Sequence, residues 1–213
     1  SIPQSKQMKI IDNSTIPWVE KYRPDSLNEI SHHMRVVDTL KNSILQRKLQ
    51  HLLFYGPPGT GKTSTILALA KEFFGKNYKE RILELNASDE RGINVIRDKV
   101  KLFSQSKIQK LEDSLIDLQI VILDEADMMT IDAQSALRRI IEEFSSTTRF
   151  CIICNYLNKI IDPISSRCSK FMFSPLPREI QFSRIRYILD KEGIVSNLDS
   201  IIYLVIDISE GDL

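Results

Sequence analysis

Five short apolar runs punctuate the chain: HLLFY (51–55), RILELN (81–86), QIVILD (119–124), RFCIICN (149–155) and KFMF (170–173). Each is near-continuous rather than alternating, as in parallel strands covered on both faces. Stretches with helical periodicity separate several of them. Thr63 to Phe74 is rich in Ala and Leu and meets a stop signal at Gly75. Ile93, Ile96, Val100 and Phe103 mark one helical stripe; Ala133, Ala136, Leu137, Ile140, Ile141 and Phe144 mark another. Strands alternating with helices predict a parallel five-stranded α/β sheet flanked by helices and joined by right-handed crossovers. Beyond Pro175 and Pro177 the pattern turns purely helical, with one helix from Ile180 to Leu189, closed by Gly193, and another from Asn197 to Ile208. The expected organisation is an unpatterned polar tail over 1–15, an α/β domain over 16–175 and the start of a helical domain over 176–213.

Composition narrows the class. Of 213 residues, 42% are apolar, enough to build a core and too many for a disordered chain. The net charge of +1 gives no global attraction to nucleic acid, so any such surface must come from local clustering. No apolar run reaches the ~18 residues of a membrane span. The opening SIPQSKQMK carries no apolar core of a secretory leader, so none is expected. Cys151, Cys154 and Cys168 are an odd set, which favours reduced thiols. The spacing of Cys151 and Cys154 invites a metal or redox reading. Zinc asks for a tetrahedral ligand set, however, and only Cys168 is left over. The pair also lies inside a strand-like run rather than opening a helix, so buried apolar cysteines are the expectation.

The chemistry enters with GPPGTGKT, which fits G-x-x-x-x-G-K-[ST] between a predicted strand and a predicted helix. Gly56, Gly59 and Gly61, with Pro57, Pro58 and Thr60 between them, let the backbone turn its N–H groups toward phosphate oxygens. The helix start carrying Lys62, Thr63 and Ser64 adds its partial positive charge. Lys62 would reach the β- and γ-phosphates, and Thr63 would hold Mg²⁺. Such a loop needs an acid at the end of another strand. Ile120 to Leu123 leads into Asp124, a metal holder, and Glu125, a general base for the attacking water. Asn155 closes the FCIIC run, either as simple turn chemistry or to hydrogen-bond the nucleophilic water or γ-phosphate. Asp162 and Pro163 resemble the cap and first position of a short helix that presents Arg167 near its end. Local chemistry leaves open whether Arg167 is catalytic or an ordinary surface arginine.

Taken together, PWVEKYRP (17–24), FYGPPGTGKTS (54–64), ELNASDERGI (84–93), ILDEADMMT (122–130), ALRR (136–139), NYLNKIIDPISSRCSKF (155–171) and the final GDL resemble, in order, the boxes of replication factor C small subunits. These are AAA+ ATPases of the sliding-clamp loader, and the wording around IIDPISSRCSKF is most similar to the subunit-2 and subunit-4 types. The resemblance implies a nuclear ATPase subunit of a hetero-pentamer that binds ATP or ADP with Mg²⁺. Such a complex loads the sliding clamp (proliferating cell nuclear antigen) onto primer–template DNA in replication and repair, without a membrane. It makes Lys62, Thr63, Asp124 and Glu125 the Walker residues, Asn155 sensor 1, and Arg167 an arginine finger acting on the neighbouring subunit's ATP. Val19, Arg23 and Ile30 fall where the family packs its N-terminal segment around adenine, although Ser31, His32 and His33 depart from the usual residues there. Family members continue past GDL with a sensor-2 arginine, the rest of the helical lid and a collar domain. The expectation is therefore a fragment with weak ATPase activity on its own.

Two further surfaces follow. Arg97 and Lys101 stand four apart on one predicted helix, a mildly unfavourable like-charge pair that a DNA backbone would relieve and an ordinary solvated face would also tolerate. The family's equivalent helix lines the DNA channel. Gln134, Leu137 and Ile141 echo the pattern of clamp-binding peptides, and the family places its clamp-facing surface there, yet a core-facing stripe has the same spacing. Asp124 to Asp127 also spell DEAD, but the Ser-Ala-Thr and second motor domain of RNA helicases are missing from the sequence. A branch-migration motor would share only the Walker boxes. A ring subunit that binds nucleotide without hydrolysis is disfavoured by intact Lys62 and Glu125.

Overall fold

The computed structural model describes residues 17, 21–22, 34–46, 48–88, 92–106, 118–194 and 199–209. Val19, Arg23 and Ile30, the histidines at 32 and 33, and the final GDL lie outside them. The chain forms α1 (Met34–Leu45), β1 (His51–Tyr55), α2 (Lys62–Phe74), β2 (Ile82–Asn86), α3 (Ile93–Gln105), β3 (Gln119–Asp124), α4 (Ile131–Phe144), β4 (Thr148–Cys154), α5 (Asp162–Ser165), β5 (Cys168–Met172), α6 (Arg178–Lys191) and α7 (Asp199–Ile208). All strand pairings are parallel, and the sheet order is β2-β3-β4-β1-β5.

The central strands β3, β4 and β1 are mostly apolar because both their faces are covered, whereas the edge strands β2 and β5 are partly exposed and carry Glu84, Ser169 and Lys170. Successive side chains alternate between the two layers. Leu52, Phe54, Ile120, Ile122, Cys151 and Ile153 pack with Val37, Leu40 and Ile44 of α1 and Ile66, Leu69 and Phe73 of α2. Leu53, Val121, Leu123, Phe150, Ile152 and Cys154 face Ile96 and Val100 of α3, Leu137, Ile140 and Ile141 of α4, and Ile164 of α5. The chain leaves β1 for the far edge over one face and returns through β3 and β4 over the other, so its direction reverses beside β1. Ligands of open α/β sheets bind at such a reversal, outside the carboxyl ends of the strands.

The five strands lie where the apolar runs predict them, with β5 starting two residues earlier than expected. Helix α1 has no counterpart in the expectations; its stripe is only Val37, Leu40 and Ile44, set among polar residues. The short α5 is capped by Ile161, not Asp162, so Asp162 and Pro163 occupy its first two helical positions. All three cysteines are free and buried, and burial raises each thiol: Cys154 to about 12 and Cys168 to about 11, with Cys151 also well above its usual range. Among the described residues no helix is long and apolar enough to cross a membrane.

Helices α6 and α7 pack through Phe182 stacked on Tyr203 at 4.7 Å, flanked by Arg178–Asp207 at 2.6 Å and Arg186–Asp199 at 2.9 Å. Lys21 and Tyr22 both donate to one Glu192 oxygen at 2.6 Å, and Arg184 donates to the Tyr22 carbonyl at 2.8 Å. These contacts tie the N-terminal segment to the C-terminal end of α6. The hydrogen bonds from Lys21 and Tyr22 hold the Glu192 carboxyl below its ordinary range.

His51 carries a pH-dependent part of the stability. Its Nδ1 accepts the Phe150 N–H at 3.1 Å, which requires an unprotonated Nδ1, and burial, with the nearby Arg149 charge, lowers its pKa from 6.5 to about 4. The unfolded chain therefore binds more protons between pH 6.5 and about 4, and stability falls as the pH drops through that window. We expect a loss of about 2 kcal/mol by pH 4, less than the full shift converts to because the ring is partly exposed. Urea unfolding of the wild type and of His51→Gln across that window should show the slope flattened in the variant.

Candidate nucleotide site

The phosphate-loop sequence follows β1 and opens α2. Gly56 has φ 143°, and a Cβ there would stand 2.0 Å from the Phe173 carbonyl oxygen, so only glycine lets the chain pass β5. Gly61 caps α2 in the left-handed region at φ 90° with no side chain over the helix start, leaving the first N–H groups facing outward. Thr60 is buried and donates to the Pro57 carbonyl at 2.8 Å, bracing the turn. Pro57, Pro58 and Gly59 form its exposed rim, and Ser64, the third residue of the helix, is half-buried.

Lys62 is 7% exposed, and its ammonium donates to the carbonyls of Gly56 and Pro57, both at 2.7 Å. It thus sits inside the curl of the loop. Thr63 donates from Oγ1 to Asp124 Oδ2 at 3.2 Å, joining the start of α2 to the end of β3. The other Asp124 oxygen accepts the Glu125 N–H at 2.7 Å. The Thr63 hydroxyl and Asp124 carboxylate are hard oxygen donors of the kind Mg²⁺ takes alongside water and phosphate. No cluster of three or more His, Cys, Asp or Glu side chains among the described residues forms an all-protein metal site.

Glu125 is the only non-glycine among the described residues with positive φ, at φ 53° and ψ 37°. A left-handed residue with a Cβ costs about 1–2 kcal/mol, and such strain collects at functional sites. Here the twist brings the carboxylate within reach of the end of β2, where Ser88 Oγ donates to Glu125 Oε2 in a short hydrogen bond. Ser88 is itself set by Asn86 Oδ1, which accepts from its N–H at 2.9 Å and lies 2.7 Å from its Oγ. Asn155 lies just beyond β4, exposed, its backbone N–H donating to Asp127 Oδ2 at 3.1 Å, as does that of Tyr156. Lys62, Thr63, Asp124, Glu125 and Asn155 therefore stand at the carboxyl ends of the adjacent strands β3, β4 and β1.

Arg167 is elsewhere. His51 pairs in register with Cys168, so Arg167 sits at the amino edge of the sheet while the loop begins at its carboxyl edge. The length of β1, about 13 Å at ~3.3 Å per residue, separates them. At that edge a cleft of about 460 Å³ opens with Arg167, Ser166, His51 and Arg149 among its walls.

Two expected surfaces change. Gln134, Leu137 and Ile141 are interior side chains, each 1–2% exposed, and do not present a face to a partner. The Gln134 amide donates to the Met129 and Lys159 carbonyls at 3.2 and 2.9 Å and accepts the Ile161 N–H at 2.9 Å. It ties α4 to the segments after β3 and β4 that carry Glu125 and Asn155. Arg97 and Lys101 are both exposed on α3, but Arg97 is paired with Glu143 of α4 at 2.9 Å, so an anion from the chain itself relieves the like-charge pair.

Sequence reasoning missed four residues: Ser88 bonds Glu125 directly, Asn86 sets Ser88, Asp127 accepts the Asn155 N–H, and Glu142 pairs with Arg167. Only the polarity of NASD directly after a strand hinted at the first two.

The chain is similar to several known proteins. Residues 52–176 match the model of the ATPase family associated with various cellular activities (AAA). Replication factor C subunit 2 of Saccharomyces cerevisiae is 52% identical over 206 residues, covering 92% of this chain and 58% of the relative. Replication factor C subunit 4 of Homo sapiens is 54% identical over 202 residues, covering 93% and 55%. The replication factor C small subunit of Aeropyrum pernix is 54% identical over 196 residues, covering 92% and 59%. The chain thus spans little more than half the length of these relatives. Among solved structures, a RuvB variant of Thermotoga maritima superposes with a TM-score of 0.64 at 17% identity, covering 89% of this chain and 60% of that one, a likeness of fold.

Proposed function

The chain belongs to the AAA family of ATPases and is similar to replication factor C subunits along most of its length, and from this we propose that it is an ATP-hydrolysing subunit of a sliding-clamp loader. One observation carries the reading: the polar ends of β1, β3 and β4 make half a nucleotide site, and Arg167 stands at the opposite edge of the sheet. Copies arranged in a ring would present Arg167 of one subunit to the loop of the next. In this reading residues 16–175 form the nucleotide-binding domain and 176–213 begin a helical lid.

The loop N–H groups and Lys62 bind the triphosphate. The ammonium exchanges two neutral carbonyl acceptors for charged phosphate oxygens, and charge-assisted hydrogen bonds are the stronger kind. Thr63 and Asp124 would hold Mg²⁺, which neutralises phosphate charge when bound. Glu125 takes the proton of the attacking water, and Asn155 orients that water or the γ-phosphate. Arg167 of the neighbouring position stabilises charge on the transferred phosphoryl group. Arg97 and Lys101 would touch the DNA backbone without reading sequence. ATP binding then favours the assembled form that grips clamp and primer–template DNA, and hydrolysis releases it. The setting implied is the nucleus, in replication and repair.

The test mixes the full-length chain with candidate partner subunits, a sliding clamp and primed circular DNA. The expected result is ATP turnover stimulated by clamp and DNA together, with clamp left topologically on the circle. Turnover indifferent to both would overturn the reading.

A further inference from the structure

We propose that Glu142 parks the Arg167 side chain on its own subunit, so that this carboxylate sets how readily the arginine is offered to a neighbour's phosphate. The inference rests on the trans role of Arg167 given above. The guanidinium is held at two points: Nη1 donates to the Pro163 carbonyl at 2.6 Å, and Nη2 meets Glu142 Oε1 at 2.6 Å. Its side chain is 38% exposed and that of Glu142 is 43% exposed, so the pair lies open at the surface rather than locked in the core. A guanidinium in this position spends two donors on its own chain.

Phosphate oxygens compete for those same donors. A carboxylate cannot travel with the guanidinium to a triphosphate, because the two anions repel. Contact with a neighbour therefore breaks the Glu142 bridge. The chain lowers the cost of that step with a second cation: Arg138, one turn earlier on α4, has Nη1 3.6 Å from the same Glu142 oxygen. When Arg167 leaves, Arg138 still pairs Glu142. The parked state is then a shallow minimum, since exposed pairs of this kind shift equilibria by about two- to fivefold. Glu142 acts through Arg167 and is a positioning residue.

The test titrates the full-length chain against its partner subunits in the presence of ATP. Assembly is read by the anisotropy of a labelled partner, and turnover at the plateau is read separately. Variants are Glu142→Gln, Glu142→Ala, Arg167→Ala and the Glu142→Gln/Arg167→Ala double. Releasing the arginine should lower the assembly midpoint by about two- to fivefold for both Glu142 variants. It should leave plateau turnover unchanged, and the gap from wild type should close at high salt as screening weakens the pair. In the Arg167→Ala background the Glu142 substitution should have no effect. An unchanged or raised midpoint overturns the proposal, as does a lowered midpoint that persists in the double variant, while the trans role of Arg167 stands. Wild-type turnover in Arg167→Ala alone overturns the trans role and the parking with it.

Discussion

Replacing Arg167 by Ala is expected to lower ATP turnover at the neighbouring subunit's site by about 10³-fold and to leave this chain's own site untouched. Arginines supplied in trans contribute about 10³–10⁵ in GTPases, equivalent to about 4–7 kcal/mol of barrier. Stability should barely register the change. The side chain is partly exposed, and its ion pair with Glu142 is of a kind that contributes about 1 kcal/mol or less. The two magnitudes separate the explanations: a structural arginine would move the unfolding midpoint as well as turnover. The measurement is steady-state hydrolysis in complexes where only one site at a time retains its phosphate-loop lysine, with thermal unfolding of the isolated chain alongside. Loss of turnover at this chain's own site, with the neighbour unaffected, would mean that the arginine does not reach across an interface.

The second large effect is expected from Glu125→Gln, with turnover at this chain's own site down by about 10²–10⁴-fold while ATP binding persists. Glutamine keeps the length and planarity of the side chain, and its amide oxygen can still accept from Ser88. The left-handed backbone at φ 53° carries the same burden in both forms. What is lost, on the proposed reading, is the carboxylate that would take a proton from water. Because Thr63 and Asp124 remain joined at 3.2 Å, nucleotide affinity should change little. Single-turnover hydrolysis beside equilibrium nucleotide binding decides it: equal losses in both would point to a collapsed loop, and unchanged hydrolysis would remove Glu125 from the chemistry.

The sequence revealed most where a single strand or turn sufficed. The strands β1, β3 and β4 were legible because burial on both faces demands unbroken apolar runs such as QIVIL. The turn after β1 and the acidic pair at the end of β3 were legible because each adjoins a strand that the apolar pattern already marks. Contacts between distant segments were not. Ser88 meets Glu125 across 37 residues, and Arg97 meets Glu143 across 46, with no local pattern to announce either. Gln134 shows a different failure. A polar residue on an apolar stripe suited a docking motif as well as a core-facing stripe, and three backbone hydrogen bonds let its amide sit inside the core. Helix α1 escaped notice because three buried positions among polar neighbours give a thin stripe.

The three buried cysteines have a practical consequence. A thiol reacts with a maleimide through its thiolate, and burial holds Cys151, Cys154 and Cys168 protonated and screened inside the sheet. The three natural thiols are therefore expected to react slowly with such dyes while the chain is folded. A single cysteine introduced on the exposed face of α7 would take a fluorophore selectively, without first stripping the natural thiols from the strands they help to pack. Fluorescence would then test whether nucleotide moves that helix.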